Sequence, residues 1–96
     1  PSLGDYDIVG VVPNPFNPTT AIRVVLPRAL AVTAEVWSVD GRRVRTLLGN
    51  ETLSAGENEV RWDGRNAGGT RVASGVYLFR LTSALGARTV RMVLIE

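Results

Sequence analysis

The chain contains no cysteine and no histidine. That removes a disulfide framework, a thiolate nucleophile and the usual zinc ligands in one step. Acid–base catalysis would fall to paired carboxylates or tyrosine. Glu57 and Glu59 stand two apart at the exposed start of a candidate strand, and Asp5 and Asp7 lie in a polar N-terminal stretch, so nothing sets an acid against a base. An enzyme is not expected, and no cofactor or metal is called for. No apolar run approaches the ~20 residues of a membrane-spanning helix. There is no lysine either: all eleven basic residues are arginine, nine carboxylates are scattered among them, and the net charge is only +2. Nucleic-acid binders concentrate positive charge on one face. Here the arginines mostly alternate with apolar residues, and even the Arg42-Arg43 pair reads as a solvated edge. The chain opens on Pro1 with no initiator methionine and no charged-then-apolar leader, and is read as a cut within a longer chain.

What remains is β-forming material. The 96 residues suffice for one domain with a single thin core. Valine occupies fourteen positions, and hydrophobic residues make up 45% against 21% charged, the balance of a globular domain. Apolar residues alternate in six or seven short runs. Ile22, Val24 and Leu26 share a face, as do Val32, Ala34 and Val36, with Thr33, Glu35 and Trp37 opposite. Val44, Thr46 and Leu48 alternate with Arg43, Arg45 and Leu47. Further faces are Asn58, Val60 and Trp62; Tyr77, Phe79 and Leu81; and Val90, Met92 and Leu94. Asp40-Gly41 is the strongest hairpin signal, and Gly49-Asn50, Ser54-Ala55-Gly56 and Ala84 to Ala87 mark further turns. Arg28 to Glu35 is rich enough in Ala and Leu for two helical turns, but Pro27 and the alternation through Val39 favour a strand.

Strands of this length, spaced by turns with no room for crossover helices, predict an all-β, immunoglobulin-like antiparallel β-sandwich of about seven strands. Trp62 and one of Tyr77 or Phe79 belong in its core; Trp37, whose face also carries Thr33, Glu35 and Val39, is ambiguous. Residues 1–12 read as a linker or a first edge strand, with Ile8 to Val12 able to pair within the domain or on a neighbour. Residues 13–96 form the domain proper.

Three segments invite functional readings. Pro13-Asn14-Pro15-Phe16-Asn17-Pro18-Thr19-Thr20 is too rich in proline for a central strand. It is expected to be a rigid corner, with Asn14 and Asn17 capping turns and Phe16 plugging the core end. Asp63 to Gly69 supplies a single carboxylate in a glycine-rich loop, too little for calcium, and no Gly-Lys-Ser/Thr for phosphate; an Asx turn is expected. Gly75 is expected at a strand entry, with positive φ or a close backbone approach, and Arg88 and Arg91 as ordinary outward residues. A carbohydrate-binding reading would need Trp37, Trp62, Tyr77 or Phe79 exposed and coplanar.

In order along the chain stand Pro13-Asn14-Pro15-Phe16-Asn17-Pro18-Thr19-Thr20, Val39-Asp40-Gly41-Arg42-Arg43-Val44, Ala55-Gly56, Trp62-Asp63-Gly64, Ser74-Gly75-Val76-Tyr77 and the basic–apolar run through Arg91-Met92-Val93-Leu94. This ordered set resembles the C-terminal sorting domain of type IX secretion substrates and the similar immunoglobulin-like domain of flagellar hook-capping proteins. The resemblance runs from Pro13 to Ile95. It implies a domain at the C-terminus of a large secreted protein, folded in the periplasm of a diderm bacterium, recognised by an outer-membrane translocon and often removed by a sortase, leaving the cargo secreted or on the cell surface. Carried over by residue, it points to Pro13, Asn14, Pro15, Gly75, Tyr77, Arg88 and Arg91 as recognition candidates. The chain departs from the family in carrying Arg91 and Glu96 where lysine is frequent. The alternative it leaves is a structural immunoglobulin-like module or a subunit of an extracellular assembly such as a hook cap or filament, with neighbouring subunits as partners.

Overall fold

The computed structural model describes residues 6–15 and 19–95. Seven strands run in chain order: β1 (Asp7–Val12), β2 (Thr20–Leu26), β3 (Leu30–Ser38), β4 (Arg43–Leu53), β5 (Gly56–Trp62), β6 (Gly75–Ser83) and β7 (Gly86–Leu94). They form two antiparallel sheets, β1-β2-β5 and β4-β3-β6-β7, with no helix among the described residues. Arg28 to Glu35 is strand, because alternation outweighs the helical preference of its Ala and Leu residues once one face can be buried. The chain is an immunoglobulin-like sandwich.

Alternation dictates the core. The three-stranded sheet contributes Ile22, Val24, Leu26, Val60 and Trp62; the four-stranded sheet contributes Val32, Ala34, Val36, Tyr77, Phe79, Leu81, Met92 and Leu94. Both Tyr77 and Phe79 are buried, where one was expected, and the Tyr77 ring meets Trp62 edge-on at 5.3 Å. With Trp62, Tyr77 and Phe79 all inside, no coplanar aromatic platform for a sugar is left among the described residues, and the carbohydrate-binding reading loses its basis.

Two strands depart from simple alternation. Gly49-Asn50 is not a turn: it lies inside β4, with Asn50 at a φ of 52°. Between the pairs Leu30↔Leu53 and Trp37↔Arg43, β3 advances seven residues while β4 uses ten, through three register shifts. Each shift is a bulge that flips the phase of β4. Val44, Leu47 and Leu48 therefore all pack against the core while Thr46 is exposed. In β1 a shift between Ile8 and Gly10 leaves Val9 exposed and lets both Ile8 and Val11 reach the core. β1 pairs with β2 of its own domain, opposite β5.

Asp40-Gly41 turns β3 into β4 as expected, with Gly41 at a φ of 88° and Ser38 N donating to Arg42 O. The Asx turn after β5 is also present: Asp63 Oδ1 accepts from Arg65 N at 3.1 Å, and from Arg45 Nη1 at 2.7 Å.

Candidate functional site

The segment that leaves β1 crosses to the edge of the opposite sheet. β7 is an outer strand, so one row of its backbone groups faces away from β6. Asn14 meets that row with its side-chain amide: Oδ1 accepts from Val93 N at 2.8 Å, and Nδ2 lies 3.4 Å from Arg91 O as its donor. The amide thus stands where the peptide group of a further strand would stand. The flanking Pro13 and Pro15 have no N–H with which to extend the ladder. Both the Val12–Pro13 and Asn14–Pro15 peptide bonds are cis. Pro13 O is held from below by the Thr20 hydroxyl at 2.6 Å, which satisfies the one buried polar side chain identified among the described residues. Asn14 therefore clamps a sheet edge instead of capping a local turn. The expectations for Phe16 and Asn17 lie outside the described residues.

Gly75 and Tyr77 belong to the same end of the four-stranded sheet. Gly75 pairs with Leu94 and Tyr77 with Met92, next to the clamped Arg91 and Val93. Gly75 has the positive φ expected of it, 157°, a backbone conformation that L side chains rarely adopt, and open space where a Cβ would stand, so backbone conformation and not a close approach explains the glycine. Tyr77 is a core residue with a polar tip: its hydroxyl donates to Ala73 O at 2.6 Å and ties the loop before β6 to the sandwich. Its buried ring is not available to a partner. Arg91 lies opposite Leu78 with an exposed side chain. The structure thus gathers Pro13, Asn14, Pro15, Gly75, Tyr77 and Arg91 around one end of β6 and β7.

Arg88 does not join them. It pairs with Leu81, three residues back along β7 and so about 10 Å away. Nor is it an ordinary outward residue: its guanidinium lies 4.9 Å from the centre of the Tyr6 ring. Tyr6 is buried, and its hydroxyl reaches the carbonyls of Leu81 (3.2 Å) and Gly86 (3.0 Å). Together they close the far end of the core and tie the start of β1 to the β6–β7 hairpin. Tyr6 escaped the sequence reading because it sits in a polar stretch; its spacing of two from Ile8 was the available signal.

Five of the eleven arginines are paired with carboxylates among the described residues. Arg23 meets Glu57, Arg61 meets Glu59, Arg43 meets Glu35, Arg45 meets Asp63 and Arg42 meets Asp40. The Ser38 hydroxyl hydrogen-bonded to Asp40, helped by nearby Arg42, holds its carboxyl below the ordinary 3.8. Arg80, Arg88 and Arg91 have no carboxylate partner among the described residues. The described residues form no cluster of carboxylates able to hold a metal ion.

Residues 15–87 match the family model of the FlgD Ig-like domain. The basal-body rod modification protein FlgD of Salmonella typhimurium (strain LT2) is 44% identical over 55 residues, which are 57% of this chain and 23% of that protein. The matched stretch is thus under a quarter of the length of the curated relatives. Three solved structures share the fold. Dimeric latent PorU from Porphyromonas gingivalis superposes with a TM-score of 0.76 at 22% identity, over 95% of this chain and 9% of that one. PorZ, an essential surface component of the type-IX secretion system of P. gingivalis, gives a TM-score of 0.56 at 25% identity, over 91% and 11%. FlgD from P. aeruginosa gives 0.65 at 20% identity, over 86% and 71%. With about three-quarters of its length inside the family match and a sandwich of the same architecture, this chain belongs to the FlgD Ig-like domain family.

Proposed function

We propose that this domain is a non-catalytic sorting module that directs a larger protein through a type IX outer-membrane translocon to the cell surface. The observation that carries the reading is the Asn14 clamp, which brings the Pro13–Pro15 segment against Arg91 and beside Gly75 and Tyr77. Residues distant in sequence become one rigid end of the sandwich. Within it Asn14, Pro13 and Pro15 shape an exposed ridge, Arg91 supplies an unpaired cation, and Gly75 and Tyr77 hold the backbone beneath. A translocon that reads folded cargo needs such a fixed, cargo-independent feature. PorU and PorZ each carry this fold as about a tenth of a much longer chain, which fits an appended module. The 25% identity to PorZ supports the type IX assignment in particular.

The test is a reporter fused to residues 1–96 in a bacterium with a working type IX system. The intact fusion reaches the surface, and one carrying Arg91→Glu, which leaves the core residues of β7 in place, stays in the periplasm. Equal export of both would refute the reading.

A second reading, a structural module of an extracellular assembly, is favoured by the 44% identity to the flagellar rod modification protein. Sedimentation separates the two. A concentration-dependent oligomer supports assembly, and a monomer at high concentration supports an appended module.

A further inference from the structure

The outer face of the four-stranded sheet carries a feature that, Arg91 apart, neither reading uses. On β3, β6 and β7 the outward positions pair across the strands: Trp37 with Leu78, Glu35 with Arg80, Leu78 with Arg91 and Arg80 with Thr89. The outward face of a sandwich is normally polar, since only the inner face is covered. Here Trp37 and Leu78 form the floor of an open groove of about 310 Å³, walled by Val39, Arg80, Ala87 and Thr89. Val39 is 70% exposed, the highest exposure of any large apolar side chain described.

The charges around this groove decide what fits. The two carboxylates nearest to it are already engaged. Glu35 accepts from Trp37 Nε1 at 3.4 Å and from Arg43 at 3.3 Å, and Asp40 is bound by Ser38 and Arg42. Arg80 faces Glu35 across the strands, yet forms no ion pair with it, and Arg91 beside Leu78 has no carboxylate partner among the described residues. The groove therefore has an apolar floor and an uncompensated positive rim. Aromatic and arginine side chains at the centre and rim of a concave patch are the composition of protein-binding hot spots.

We infer that this groove is a docking site for an extended acidic–apolar peptide segment, one that seats a Leu or Phe side chain between Trp37 and Leu78 and directs carboxylates to Arg80 and Arg91. Trp37 anchors the apolar side chain. The arginines select against basic sequences. Arg91 also stands at the clamped edge, but the Trp37–Leu78 floor and Arg80 lie on the face of the sheet and operate whether or not the domain is a sorting signal.

The domain reports on this site by itself. It has two tryptophans, and Trp62 is 1% exposed while Trp37 lines the groove, so a change in fluorescence on binding comes from Trp37. The probes are short peptides alternating Leu and Phe with Glu, and the same peptides with Lys in place of Glu. The Glu peptide is expected to bind and shift the emission; the Lys peptide is not. Arg80→Glu, a change at an exposed position, weakens the Glu peptide by about fivefold, the scale of one exposed ion pair, and strengthens the Lys peptide. Trp37→Ala, followed by calorimetry, weakens it by about thirtyfold. Arg61→Glu, on the other sheet, is the control and leaves binding unchanged. The proposal is overturned if both peptides bind alike, if neither binds, or if Arg61→Glu weakens binding as much as Arg80→Glu.

Discussion

Replacing Asn14 by alanine removes the clamp while leaving both sheets intact, and the size of the effect follows from its two hydrogen bonds. The Val93 N–H to Oδ1 distance of 2.8 Å is that of a full bond, whereas the 3.4 Å from Nδ2 to Arg91 O is at the outer limit of one. Both are at the surface, where water replaces a lost partner, so the net loss is about 1 kcal/mol rather than the larger penalty of a buried orphan. In a domain of this size that lowers Tm by about 5 °C. The local effect is sharper, because Val93 N–H then faces solvent on an open edge. Its amide exchange should rise by at least fivefold, the rate equivalent of about 1 kcal/mol. Amides of the β3–β6 ladder should change only by the global loss. Asn14→Asp retains the acceptor for Val93 N–H and gives up the weaker contact, so it protects Val93 nearly as well as the native residue. Site-resolved hydrogen exchange by NMR reads all three proteins. Unchanged Val93 exchange in Asn14→Ala would show that Asn14 does not hold the edge.

Other substitutions test the remaining joints. Phe79→Ala empties the middle of the core at a position with no solvent exposure and should cost about 3–5 kcal/mol in chemical denaturation, enough to leave the domain largely unfolded. Tyr6→Phe keeps the buried ring but loses its hydrogen bonds to the β6–β7 hairpin, an expected cost of about 1 kcal/mol by the same measurement. Asp63→Ala should destabilise more than Arg45→Ala, because Asp63 also accepts from Arg65 N, whereas Arg45 loses only the ion pair. The Asp40 carboxyl should titrate below 3.8 by NMR, and Ser38→Ala should raise its midpoint. Since its folded pKa is depressed, any stability it contributes is present above the unfolded value and disappears as pH falls through the folded one.

The sandwich was legible because burial on one face of a pleated strand leaves a period of two in the sequence. β2, β3, β5, β6 and β7 all bury the faces that alternation marks. β4 was not fully legible, since its three bulges reset the phase, and a bulge leaves no reliable mark in composition. Gly49-Asn50 has the residues of a turn because a bulged edge strand needs the same backbone freedom. The candidate site was visible as segments but not as a surface. No local rule says that an amide between two prolines will find a strand nearly eighty residues later, or that Arg88 will cover a tyrosine from the other sheet. Such contacts depend on how the two sheets close on each other, with β1 brought beside β7.

If a translocon reads the clamped end of β6 and β7, a matched pair of charge reversals reveals it directly. Arg91→Glu and Arg61→Glu both alter exposed side chains on a folded sandwich, one beside Asn14 and one on the opposite sheet. Surface delivery of the reporter fusion is to be measured for each, at equal periplasmic abundance. Loss of delivery with Arg91→Glu and normal delivery with Arg61→Glu is the predicted result; equal delivery by both would contradict it.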